Sequence, residues 1–180
     1  LTSDFLTKYP TAGIAGNFSK REFGNATDSL IAAQVGFKAS IVRGDEREST
    51  GRMDSHSRKI LNFGHTFAHA LEKVTDYKRF KHGEAVGYGI LYAARLSKIL
   101  DLIGGDVVNL LYDVVYRTGT LPSLDGIAAK DIFEAFRFDK KQIDGSLQMV
   151  LLNGIGEPVI VEGAEVPDSA HMQAFKELLH

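Results

Sequence analysis

Apolar positions along the chain recur mostly at helical spacing, with one late change of period. Leu1 to Pro10 reads as a short helical piece broken at Pro10, and Thr11 to Gly24 as a loop rich in Gly, Ser and Asn. From Asp28 to Arg43 the residues Leu30, Ile31, Val35, Phe37, Ile41 and Val42 follow a helical period, with Thr27 or Asp28 as the cap. Gly44 to Ser57 is polar and predicts a surface loop. Arg58 to Val74 predicts one continuous helix with Leu61, Phe67, Ala68 and Leu71 on one side. A basic linker, Thr75 to Lys81, leads to a long helix over Gly83 to Leu102 that is apolar on most faces, as a helix in the middle of a bundle would be. Gly104-Gly105 stops it. Further helices are expected over Val107 to Tyr116, Ala128 to Phe138 and Ala170 to Leu179. Between the last two, Ser146 to Leu152 and Val159 to Glu162 are β-prone and flank turn chemistry at Gly154 to Pro158. The sum is a mainly α, helical-bundle fold with a small β-ribbon near residues 146–162, in one domain over residues 1–180.

Composition narrows the chemistry. The 180 residues are 44% hydrophobic and 24% charged, with a net charge of −2. There is no strongly basic face of the kind nucleic acid requires. Apolar runs are short and interrupted, so no membrane span is readable. The chain has no cysteine, so any metal must be held by His, Asp or Glu. No leader is visible, a cytoplasmic setting is expected, and a chain opening on Leu1 is expected to be part of a longer protein.

Three of the six histidines fall close together: His65 and His69, four apart, and His82 just before the next helix. On a helix the first two imidazoles share a face, and a short antiparallel return could bring His82 against them. Neutral imidazole suits zinc and similar divalent ions, and a catalytic zinc keeps an open position for water or substrate. By spacing alone the three are alike as ligands, set against a reading as hydrogen-bonded core histidines. Thr66 follows His65 where a zinc protease needs glutamate, which excludes that class. Arg58 and Asn62 stand one turn before the pair, and an Arg fork there could take phosphate or carboxylate.

These residues carry a resemblance. Leu61-Asn62-Phe63-Gly64-His65-Thr66-Phe67-Ala68-His69-Ala70-Leu71-Glu72, followed by His82-Gly83-Glu84-Ala85-Val86, resembles the signature of the 3-dehydroquinate synthases, which are sugar-phosphate cyclases. Lys38-Ala39 with Asp45-Glu46-Arg47-Glu48, Asp139-Lys140-Lys141 with Gly145, and Val150-Leu151-Leu152 through Gly156 resemble flanking segments of the same family. The resemblance implies the helical C-terminal domain of a lyase that also has an N-terminal NAD-binding domain, a partner missing from this chain. The family converts a seven-carbon keto sugar acid phosphate (DAHP) to 3-dehydroquinate with release of phosphate, in the shikimate pathway of aromatic amino-acid biosynthesis. The path runs through transient oxidation by NAD, phosphate elimination, re-reduction, ring opening and aldol closure. A divalent metal, zinc or cobalt, polarises the reacting oxygen.

The resemblance further implies that His65 and His82 are metal ligands and that His69 is a catalytic histidine touching substrate. Arg58 and Asn62 would contact substrate near its phosphate, Lys38 and Lys140 would be cationic contacts, and Glu48 would line the site. Family members are often dimers, which allows a homodimer. The family's third metal ligand, a glutamate in an E-x-x-K stretch, has no match, so two ligands of three are expected and the isolated chain is expected to be inactive. Sister cyclases of the valiolone or deoxyinosose type would share the histidine motifs. A metal-dependent alcohol or glycerol dehydrogenase would differ from Asn62-Phe63-Gly64-His65. A non-catalytic helical fragment should have lost some of these polar positions.

Overall fold

The computed structural model describes residues 20–142 and 147–179, with side chains described over 25–136 and 147–179. The expected helical piece at 1–10 lies outside them, as does most of the expected loop at 11–24. Helix α1 spans Lys20–Gly44, a 3-10 turn spans Arg58–Asn62, α2 spans His65–Val74 and α3 spans His82–Ile99. They are followed by α4 (Gly105–Thr118), α5 (Ala129–Gln142), strands β1 (Gln148–Leu152) and β2 (Pro158–Glu162), and α6 (Asp168–Leu178). The mainly helical fold with a small ribbon is therefore as the sequence predicts. No helix of the described residues is long and apolar enough to cross a membrane.

Helix α3 is the central element, packing against α2, α4, α6 and β1. Its all-round apolarity has this cause: Ala85, Leu91, Tyr92, Ala94 and Leu96 are fully or almost fully buried on different sides. Phe67 of α2 stacks on Tyr92 at 4.4 Å between ring centroids. Leu71, Ile132, Leu151 and Phe175 close the same core. Each such side chain contributes about 1.5–3 kcal/mol through burial. The ribbon is antiparallel, with Val150 opposite Ile160. Ser97, fully buried on α3, pins it: its hydroxyl donates to the Ala93 carbonyl at 2.7 Å and accepts from the Leu152 amide at 3.0 Å.

Two boundaries and one burial pattern depart from the sequence reading. Helix α1 spans Lys20–Gly44, so Thr27 and Asp28 lie inside it and not at its N-terminus. Its apolar period does not mean burial: Ile31, Val35 and Phe37 are exposed, and Ile41 alone of the helix's described residues is buried, against Ile60, Val150 and Ile160. The expected helix over Arg58 to Val74 is two pieces. The chain breaks at Gly64, whose φ of +81° is the left-handed conformation that glycine adopts without penalty. Gly64 lies against α3, where a Cβ on it would come within 2.8 Å of the Ile90 amide nitrogen. Arg58 and Asn62 consequently stand on a separate turn and not on the helix face that carries His65 and His69.

Candidate functional site

The histidine cluster is built by an α2–α3 hairpin. Helix α2 begins at His65, immediately after the Gly64 break, and places His65 and His69 on one face with ring centroids 5.7 Å apart. Its exit is a tight turn in which Asp76 and Tyr77 take φ of 52° and 56°. The Tyr77 amide donates back to the Glu72 carbonyl at 2.8 Å. The chain thus reverses within a few residues, and α3 begins at His82. The Glu84 carboxylate accepts from the Lys81 amide at 2.8 Å, fixing the first turn. His82 then lies 5.3 Å from His65 and 6.3 Å from His69, ring centroid to ring centroid. The return expected from the spacing is present.

The cluster opens outward. His69 and His82 are exposed and His65 is half-buried. Burial is the main cause that lowers the His65 pKa, assisted by the neighbouring His69 and His82, while its Phe63 carbonyl contact at 3.3 Å opposes the shift. The downward shift favours the neutral ring, the form that binds a metal. The His82 Nδ1 stands 3.0 Å from Oε1 of Glu72, a carboxylate whose side chain is 10% exposed.

Two imidazoles sharing a tetrahedral zinc at bonds of about 2 Å have ring centres about 5 Å apart. The His65–His82 separation suits such sharing, and a donor set of imidazoles suits zinc or cobalt. Among the described residues no group of three or more His, Asp or Glu is arranged to hold a metal ion.

The other expected site residues fall in two places. Arg58 opens the 3-10 turn, with its Nη1 donating to the Glu46 carbonyl at 3.1 Å and its Nε 3.8 Å from Glu48. Glu48 is half-exposed, with φ of 50°. Asn62 is exposed at the end of that turn. Lys38 is exposed on α1, one turn before the buried Ile41. Lys140 falls within the range of α5, but its side chain lies outside the described ones.

Sequence reasoning missed two residues that organise this region. Asp45 is buried, and its carboxylate accepts from the Ser49 amide at 2.9 Å, the Arg58 amide at 2.9 Å and the Ser57 hydroxyl at 3.4 Å. Hydrogen bonds from the Ser49 and Arg58 amides hold its pKa down at about 2. The second is Glu72, seven residues after His65 and therefore on the same helix face, a spacing that could have singled it out. A separate cavity of about 560 Å³ is lined by Phe133, Phe136, Leu147, His171 and Met172, among others. None of the three clustered histidines lines it.

The residues from 13 to 142 match the model of the 3-dehydroquinate synthase C-terminal family. A 3-dehydroquinate synthase of Solibacter usitatus is 43% identical over 143 residues, which are 79% of this chain and 38% of that protein. One from Acidithiobacillus ferrooxidans is 42% identical over 160 residues, 87% of this chain and 42% of that protein. The chain thus spans about two fifths of the length of these curated relatives. Among solved structures, a 2-epi-5-epi-valiolone synthase of Streptomyces hygroscopicus subsp. jinggangensis with NAD+ and Zn2+ bound superposes with a TM-score of 0.73. It shares 21% identity, over 98% of this chain and 46% of that one, a likeness of fold. A 2-deoxy-scyllo-inosose synthase complexed with carbaglucose-6-phosphate, NAD+ and Co2+ gives a TM-score of 0.56 at 25% identity, over 67% of this chain and 35% of that one. By the family match and by these sequence identities, the chain belongs to the 3-dehydroquinate synthase family, matching its C-terminal part.

Proposed function

We propose that this chain supplies the metal- and substrate-binding part of a 3-dehydroquinate synthase, which converts DAHP to 3-dehydroquinate and phosphate. The observation that carries the reading is the assembly of His65, His69 and His82 within 6.3 Å of one another, inside a segment matched to that family. His65 and His82 would hold a divalent cation such as zinc or cobalt, the ions named with the related cyclases. A cation there supplies Lewis-acid polarisation of a substrate oxygen. NAD, bound by the rest of the protein, supplies reversible hydride transfer. The third ligand would come from outside the histidine pair, so the chain by itself is expected to be inactive.

The remaining roles belong to side chains of this chain. His69 sits beside the pair and exposed, where its imidazole reaches a bound substrate and can move a proton at a substrate oxygen. Among the described residues the Arg58 guanidinium is held by a carbonyl and a half-exposed carboxylate at 3.8 Å. Such an exposed pairing is weak, so the fork can turn to a phosphate oxygen at little cost. Asn62 offers an amide on the same turn. Lys38 and Lys140 would add cationic contacts to phosphate or carboxylate, and Glu48 would line the site and aim Arg58.

The identities of 43% and 42% to 3-dehydroquinate synthases, against 21% and 25% to the two sister cyclases, favour the acid-bearing substrate. The test is product analysis with the full-length protein given NAD, zinc and DAHP. Stoichiometric phosphate and 3-dehydroquinate are expected. A carbocycle made only from a sugar phosphate lacking the carboxylate would move the protein to a sister cyclase.

A further inference from the structure

We propose that Glu72 is the positioning carboxylate of the cluster: it accepts the Nδ1 proton of His82 and so presents Nε2 as the free donor nitrogen. This rests on reading the cluster as a metal site, but its first consequence needs no metal. An ionised carboxylate only accepts hydrogen bonds. An imidazole nitrogen 3.0 Å from it must therefore carry the proton, and in the neutral ring the other nitrogen then carries the lone pair.

The surroundings make Glu72 an anchor and His82 the group it aims. The Glu72 side chain is 10% exposed and that of His82 58%, so the fixed end is buried and the imidazole projects outward. Glu72 also holds the hairpin through its backbone, where its carbonyl accepts from the amides of Thr75 and Tyr77. His65, His69 and Glu72 lie at helical spacing on α2, so one rigid helix carries two imidazoles of the cluster and the carboxylate that orients the third. A metal-ligating histidine commonly needs such a partner, and losing one costs about 10–100-fold in metal affinity.

The experiment is nitrogen-15 NMR of the histidine rings in the metal-free full-length protein, in neutral to mildly alkaline solution, followed by zinc titration. The wild type is expected to show His82 protonated at Nδ1. Glu72→Ala is expected to release the ring to mixed tautomers and weaken zinc binding by about 10–100-fold. Glu72→Gln has the same shape and keeps an accepting carbonyl oxygen, so it tests the role where the alanine variant fails to fold, and it should fall between the two. A wild-type His82 protonated at Nε2, or one whose tautomer ignores both substitutions, overturns the proposal. So does zinc loss beyond this range with the tautomer unchanged, which would make Glu72 itself a ligand. A protein that keeps the Nδ1–H signal but takes no zinc supports the anchoring and overturns the metal reading.

Discussion

The carbonyl oxygen of Gly64 occupies the space where a side chain on Gly89 would begin. The contact joins the N-terminus of α2 to the middle of α3, and the oxygen also accepts the Ala68 amide at 3.1 Å inside α2. Neither backbone can give way, since Gly64 precedes His65 directly and Gly89 lies in the buried centre of α3. Gly89→Ala is expected to destabilise the protein by about 3 kcal/mol or more, the upper end for overpacking. It should also weaken metal binding by shifting His65 relative to His82. Chemical denaturation and zinc titration of the variant check both effects, and a variant as stable as wild type would show that the two backbones separate freely.

Asp45 ties the 45–58 loop to Arg58. Its carboxyl, held at a pKa of about 2 against 3.8 for a free side chain, stabilises the folded loop fully above pH 3.8. That contribution is lost as pH falls from 3.8 towards about 2, because the unfolded chain takes up the proton first. Asp45→Ala leaves the Ser49 and Arg58 amides without their acceptor. Faster hydrogen exchange of those two amides at neutral pH is expected, while metal content stays at the wild-type level. Unchanged exchange rates would mean that other contacts hold the loop.

Arg58→Ala should act on substrate and not on metal. A rise in KM of about tenfold, the scale of one charged hydrogen bond of roughly 1.5 kcal/mol, is expected with metal content unchanged. Loss of metal in that variant would make Arg58 structural.

His171 provides a pH effect away from the cluster. It is buried, its Nδ1 is 2.6 Å from the Tyr92 hydroxyl, and its ring is stacked parallel to that of Tyr92. Burial lowers its pKa, with a smaller opposing pull from Asp168. The unfolded chain therefore binds a proton that the folded chain refuses, and stability falls as pH drops below the free value of 6.5 until the folded pKa is reached. Thermal melts should show a Tm loss over this range that shrinks in His171→Leu. An identical loss in that variant would place the effect elsewhere.

The parts of this molecule legible in its sequence are those set by local periodicity. Helical spacing fixes His65 and His69 on one face without reference to the rest of the chain, and the β-prone runs around Val150 and Ile160, flanking turn residues, announce the ribbon. The break at Gly64 was not legible, because the apolar period runs through it and the left-handed turn is imposed by close approach to Gly89. The Glu72–His82 contact depends on Asp76 and Tyr77 accepting left-handed backbone, which no turn rule assigns to a tyrosine. Periodicity also says nothing about what a helix packs against, which is why Val35 and Phe37 of α1 are apolar yet exposed.

In the full-length protein His65 and His82 are expected to hold a cation, and His69 is not. Metal analysis of the full-length protein and its three His→Ala variants tests this directly. About one zinc or cobalt per chain is expected in the wild type. It should vanish in His65→Ala and His82→Ala and persist in His69→Ala, whose turnover alone collapses. Metal retained by a folded His82→Ala protein, or absent from a folded wild type, would contradict the assignment.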